Sequence, residues 1–178
     1  MWRCGKKYGN GNSCDSPILT ENELKMKFVE AINEIYDDRK IVLERCRSLL
    51  ESFDDTADLE DQIDEHLREC EIIAELNRKL LEQNANTVMD QQSFMKKYSS
   101  YVSKYEKEYA KAEELQMLLA ERKKKADIIS AFMFEIHERD GFVEEFDDKL
   151  WLTTIDMVTV NHDGTLMLRF KNGMEVTK

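Results

Sequence analysis

The chain has 178 residues and a net charge of −11, and it draws 35% of its residues from Asp, Glu, Lys and Arg, with one proline and six glycines. That profile fits long solvated helices better than a loop-rich globule. The charge excludes a protein that coats nucleic acid along its whole length, because duplex affinity rests on Lys and Arg replacing counterions at phosphates.

Neither a run of about 18 apolar residues nor an apolar leader core is present, so the sequence predicts no membrane span and no secretion and reads as cytosolic. The charge is unevenly spread. Residues 51–82 hold twelve Asp or Glu against Arg68, Arg78 and Lys79, whereas residues 1–18 hold Arg3, Lys6 and Lys7 against Asp15. Any nucleic-acid face is therefore expected near an end of the chain. Four cysteines in a reducing compartment point to metal binding or burial rather than disulfides.

Cys4 and Cys14 bracket a loop turned by Gly5, Gly9 and Gly11. Two thiolates can converge on zinc there, but a structural zinc site takes four ligands, so this is half of one. Thr20 and Glu23 form a capping box, and Leu24, Phe28, Ile32 and Ile35 follow at spacings of four and three. They predict one helix continuing through Ile41, Leu43, Cys46, Leu49 and Leu50 to the acidic stretch 53–56.

Leu59, Ile63, Leu67, Cys70, Ile73, Leu76 and Leu80 predict a second helix with a near-heptad seam, ending about Glu82. Residues 84–90 read as a turn. A third helix carries Phe94, Tyr98, Tyr101, Tyr105, Tyr109, Ala112, Leu115 and Leu119, then Ile128, Phe132 and Ile136. Matching seams across a short turn predict an antiparallel hairpin with arms of roughly 30 residues, about 45 Å each. Lys96, Lys97, Lys104 and Lys107 are expected to face the acidic second helix. The tyrosines read as seam rather than as a stacking platform for single strands. Cys46 and Cys70 read as small buried hydrophobes.

After Gly141, Phe142, Phe146 and Leu150 stand four apart, with Trp151 and Ile155 behind, and predict a short helical segment. The period then changes to two. Residues 158–160, 166–170 and 174–176 predict three strands joined at Asp163-Gly164 and Asn172-Gly173, dipeptides suited to hairpin turns. Three strands need a cover to be stable.

Catalytic constellations are not apparent. His66, His137 and His162 are scattered and read as surface residues without a nucleophile in partnership. The acidic clusters lack the spacing of a calcium loop. No Gly-rich phosphate loop follows a strand.

Taken together, Trp2-Arg3-Cys4, Cys14 and residues 17–21 leading into a helix resemble the end of the zinc ribbon in large serine recombinases, the serine integrases and transposon recombinases of bacteria and their mobile elements. Met89-Asp90-Gln91 through Phe94 and Tyr98 resembles that family's coiled-coil turn. Residues 146–151, 155–160, Asp163-Gly164 and 170–173 resemble its closing segment. The resemblance spans nearly the whole chain.

It implies a mainly α fold with a small antiparallel β meander, in which a long antiparallel helical hairpin, or coiled coil, is inserted in a small α+β base domain derived from a zinc ribbon. Residues 1–55 with 126–178 would form the base and 56–125 the hairpin arm. Cys4 and Cys14 would be the second zinc pair. The first pair and everything before it, the catalytic serine included, are missing, so Met1 would be the start of a cloned or truncated piece, and the chain itself would be no enzyme and would retain no zinc.

Arg3, Lys6 and Lys7 would contact phosphates of a duplex attachment site. Val88, Met89, Phe94 and Met95 would form an adhesive arm tip for recombinase subunits or a directionality factor, in the bacterial cytoplasm, with no membrane and no small-molecule substrate. A free-standing coiled-coil scaffold without a DNA role is the other reading, and heptad seams also permit association between chains.

Overall fold

A computed structural model describes residues 17–139 and 141–178. Arg3, Cys4, Lys6, Lys7 and Cys14 lie outside the described residues. The elements run α1 (Glu21–Asp37), α2 (Arg39–Asp54), α3 (Ala57–Asn86), α4 (Gln91–Glu138), α5 (Asp148–Thr154), β1 (Ile155–Val160), β2 (Leu166–Phe170) and β3 (Glu175–Thr177). The fold is mainly α with one three-stranded antiparallel sheet in the order β1-β2-β3. Among the described residues no helix is long and apolar enough to cross a membrane. The chain divides into two compact units, one combining the described residues up to Ser52 with Lys125–Lys178, the other Phe53–Lys124.

In the first unit, α1 starts where the capping box requires. The Glu23 N–H donates to Thr20 Oγ1 at 3.2 Å and the Thr20 N–H to Glu23 Oε2 at 2.8 Å, satisfying two otherwise orphaned amides. The buried face of α1 is Phe28, Ala31, Ile32, Ile35 and Tyr36. Phe28 meets Trp151 edge-on at 5.0 Å and Phe146 at 5.6 Å, so the aromatic cluster ties α1 to α5 and the loop before it.

The single long first helix expected from the apolar pattern is broken at Asp38, whose φ and ψ of −96° and 17° leave the helical region. Acidic residues at 37 and 38 oppose the negative end of the helix dipole, and α1 has no basic residue in its last turn to offset them. Arg39 then donates to the carbonyl oxygens of His137 and Arg139 at the end of α4. The break turns α2 so that Val42, Leu43 and Cys46 are buried while Ile41 and Leu49 are exposed.

A second departure lies at residues 142–147, expected as helix and found irregular, with α5 beginning only at Asp148. The cause is not local. The Asn33 side chain clamps Val143, donating to its carbonyl at 2.9 Å and accepting its N–H at 2.8 Å, which removes that backbone from any helical ladder. Asp147 caps α5 by accepting the Leu150 N–H at 3.0 Å. That bond first, and then Arg139, hold its carboxyl below the usual carboxylate range.

The sheet is covered through its middle strand: Leu166, Leu168 and Phe170 are all buried, and Phe132 of α4 meets Phe170 edge-on at 6.4 Å. Both hairpin loops have the same construction. Asn161 N–H reaches Thr165 O at 2.9 Å and Gly164 N–H reaches Asn161 O at 3.1 Å, as Phe170 N–H reaches Met174 O at 2.8 Å and Gly173 N–H reaches Phe170 O at 2.9 Å. Asp163 and Asn172 each accept the amide two residues on, at 3.0 and 3.1 Å. These are three-residue loops in which the glycine alone takes positive φ, 91° at Gly164 and 85° at Gly173.

Candidate protein-interaction site

The second unit is a helical hairpin. α3 and α4 lie antiparallel, with Cys70 Sγ 3.8 Å from Tyr105 O, Lys123 Nζ 3.1 Å from Glu60 and Gln91 Nε2 3.3 Å from Asn84 Oδ1. Its seam follows a strict three-four rhythm, which differs from the apolar pattern in three places. Leu76 is exposed, and the seam position beside it is Asn77. His66 stands at the step between Ile63 and Cys70, and Glu108 rather than exposed Tyr109 stands between Tyr105 and Ala112.

His66 is therefore half-buried rather than a surface residue, with Nδ1 2.6 Å from Glu108 Oε2. Lys111 first and His66 second hold the Glu108 carboxyl below its ordinary range. A hydrogen-bonded polar pair at a seam fixes register, since slippage would strand both groups. Asn77 Oδ1 is buried and accepts no hydrogen bond from the described residues. Among those residues, Lys96, Lys97, Lys104 and Lys107 make no ion pair with α3 within 4 Å; the charged and polar side-chain contacts across the hairpin include Lys123–Glu60 and His66–Glu108. Tyr105 and Tyr109 instead stack on each other at 6.1 Å.

At the hairpin turn, α3 ends as Thr87 N–H donates to Gln83 O at 2.9 Å, and Asp90 opens α4 by accepting the Ser93 N–H at 2.8 Å. That bond is the main cause holding the Asp90 carboxyl low. Of the four expected contacts, Val88 is fully exposed at 103%, Met95 is exposed and Met89 is half-buried. Phe94 is buried, its ring stacked on Tyr98 at 6.0 Å. It supports the turn from within, and Val88 and Met95 are what the turn offers outward.

Cys46 and Cys70 are buried free thiols, both pushed up by that burial, and among the described residues no three His, Cys, Asp or Glu side chains gather as a metal site. A groove of about 760 Å³ in the first unit is lined by Leu24, Phe146, Trp151 and Leu152, with Glu21, Asp148 and Asp156 at its rim. Glu21 is held by Lys25 at 2.8 Å and Asp156 by Arg169 at 2.7 Å, and no histidine, cysteine or serine lines it.

Comparison of the chain with protein-family models, with curated proteins and with solved structures returns no match.

Proposed function

We propose that this chain is the C-terminal, non-catalytic part of a large serine recombinase, a zinc-ribbon-derived DNA-binding module carrying an inserted coiled-coil hairpin. One observation carries the reading. The chain leaves one compact unit at Ser52, forms a separate hairpin unit, and returns to the first at Lys125, the interrupted order in which the recombinase motifs fall along the sequence.

In this reading the first unit, with residues 1–16, meets attachment-site DNA in the bacterial cytoplasm. Arg3, Lys6 and Lys7 contact phosphates, and Cys4 and Cys14 supply half of a zinc site whose other pair lies upstream. Cys46 and Cys70 do not fit as the missing ligands, being buried in different units. Zinc held by both pairs would tie the Cys4 and Cys14 segment to the upstream pair. The hairpin turn, through Val88 and Met95 with Met89 and Phe94 behind them, serves contact with other recombinase subunits or with a directionality factor. Strand cleavage belongs to a serine domain outside this chain.

The upstream reading frame tests this directly: it must encode a second cysteine pair and a serine-recombinase catalytic domain. The chain so extended is expected to bind duplex DNA with an affinity that falls steeply with salt, and alanine at Arg3, Lys6 or Lys7 should each reduce the log–log salt slope by about one. A frame without those features, or an extended chain whose duplex binding is absent or salt-independent, would leave the coiled-coil scaffold as the better account.

A further inference from the structure

The groove of the first unit continues past Phe146. A second, smaller hollow of about 380 Å³ adjoins it across Lys25 and Phe146, where the Lys25 ammonium lies over the Phe146 ring at 5.0 Å. Together they make one trough along the start of α1, and its apolar lining is open: Leu152 is 69% exposed, Met157 43% and Met26 60%. Apolar side chains gathered along a concave surface favour burial against something that fits it.

The charges narrow what fits. Six carboxylates line the trough, Glu21, Asp148 and Asp156 in the larger part and Glu30, Glu144 and Glu145 in the smaller, against Lys25 alone. Lys25 is taken by Glu21 at 2.8 Å, Lys27 behind the rim pairs with Glu30 at 3.5 Å, and Arg169 pairs with Asp156 at 2.7 Å. Other cations of the neighbouring segments are also engaged, Arg139 with Asp147, Lys149 with Glu135 and Lys171 with the Leu152 carbonyl. Asp148, Glu144 and Glu145 are exposed and form no ion pair among the described residues. The trough therefore suits an occupant with apolar bulk and positive charge. The trough of a second copy, with the same three carboxylates, is repelled.

The chain carries such an occupant at the lip of the trough. Leu19 lines the groove, and Pro17 lies beside the β1–β2 loop, 3.6 Å from where a Cβ on Gly164 would stand. Residues 1–16, immediately before it, set Trp2 next to Arg3 and Tyr8 next to Lys6 and Lys7, with Asp15 as their one acid. Trp combines a large apolar face with little conformational freedom to lose. Sixteen residues span up to about 50 Å, ample for Trp2 to return to a groove that begins at Leu19. So short a tether sets a local concentration in the millimolar range, so even weak docking is populated.

We propose that the trough is the docking site for residues 1–16 of the same chain, with Trp2 seated against Leu152 and Met157 and with Arg3, Lys6 and Lys7 facing Asp148, Glu144 and Glu145. The inference does not rest on the recombinase reading. Where both hold, DNA phosphates and the acidic rim compete for the same three cations.

Spectra of the full chain labelled at the methionine methyl groups test it, with Met157 in the groove as reporter and exposed Met117 of the hairpin as control. Trp2→Ala is expected to shift the Met157 resonance, because the methyl leaves the ring current of the indole, and to leave Met117 in place. Reversing the cations, Arg3→Glu with Lys6→Glu and Lys7→Glu, should shift Met157 the same way. Adding Glu144→Lys, Glu145→Lys and Asp148→Lys to that variant should bring the resonance back toward the parent position. Far-UV circular dichroism should be unchanged throughout, and the parent resonance should hold its position across a dilution series.

A Met157 resonance indifferent to Trp2→Ala overturns the inference and leaves the trough to a separate molecule. So does one that ignores the cation reversal, that the compensating carboxylate reversal fails to restore, or that moves on dilution, which would mean docking between copies.

Discussion

Replacing Phe28 with alanine is expected to lower the unfolding free energy of the first unit by about 3–5 kcal/mol, the usual cost of removing a fully buried aromatic ring. Phe28 has no exposed surface, and its ring packs edge-on against both Trp151 and Phe146. Those partners come from the far end of the sequence, so the cavity would open at the junction of α1, α5 and the irregular segment 142–147. Local collapse is limited there, because Asn33 pins Val143 in place. With Trp2 changed to Phe, Trp151 is the single tryptophan and its fluorescence in urea reports this unit. A loss below about 1 kcal/mol would mean that the ring is not part of a close-packed core.

Asn77→Leu is expected to change stability in the opposite direction. Asn77 occupies a seam position of α3 with a buried carbonyl oxygen that no described group satisfies, and leaving such an acceptor dry costs about 1–3 kcal/mol. A leucine of similar size removes the acceptor and adds apolar contact between Ile73 and Leu80, both buried. Thermal unfolding of the hairpin should therefore shift upward. A downward shift would show that the amide has a partner worth more than its desolvation, and Tyr98, which the antiparallel register sets level with it, is the side chain to substitute next.

These two positions also mark what was legible in the sequence. Phe28 stood in a clean three-four stripe behind a capping box, and the stripe fixed both helix and buried face. Asn77 was missed because the pattern was followed by hydrophobicity, and exposed Leu76 lay one residue away; Glu108 was missed beside Tyr109, and His66 beside Leu67, for the same reason. Counting three-four steps without regard to polarity from Leu59 and from Phe94 finds all three.

The strands and their turns were legible because period two and the Asp-Gly and Asn-Gly pairs are local signals. Two features had no local signal. The irregular path of residues 142–147 is imposed by Asn33 from 110 residues away, and the break at Asp38 depends on Arg39 finding carbonyls at the end of α4. The expected contacts at Arg3, Cys4, Lys6, Lys7 and Cys14 lie outside the described residues.

The division of the chain has a kinetic side. Contacts such as Asn33–Val143 and Tyr36–Glu135 close loops of about a hundred residues, which is entropically slow for a free chain. The hairpin is built from local pairs, and the Arg122–Asp55 and Lys123–Glu60 contacts bring its two ends together once it has formed. To the rest of the polypeptide a folded hairpin is then a short link, and what was a distant closure becomes a near one. Pulse-labelled hydrogen exchange should find amides of α3 protected before those of β2; simultaneous protection would mean that the two units fold as one, and that the insertion brings no advantage in the order of events.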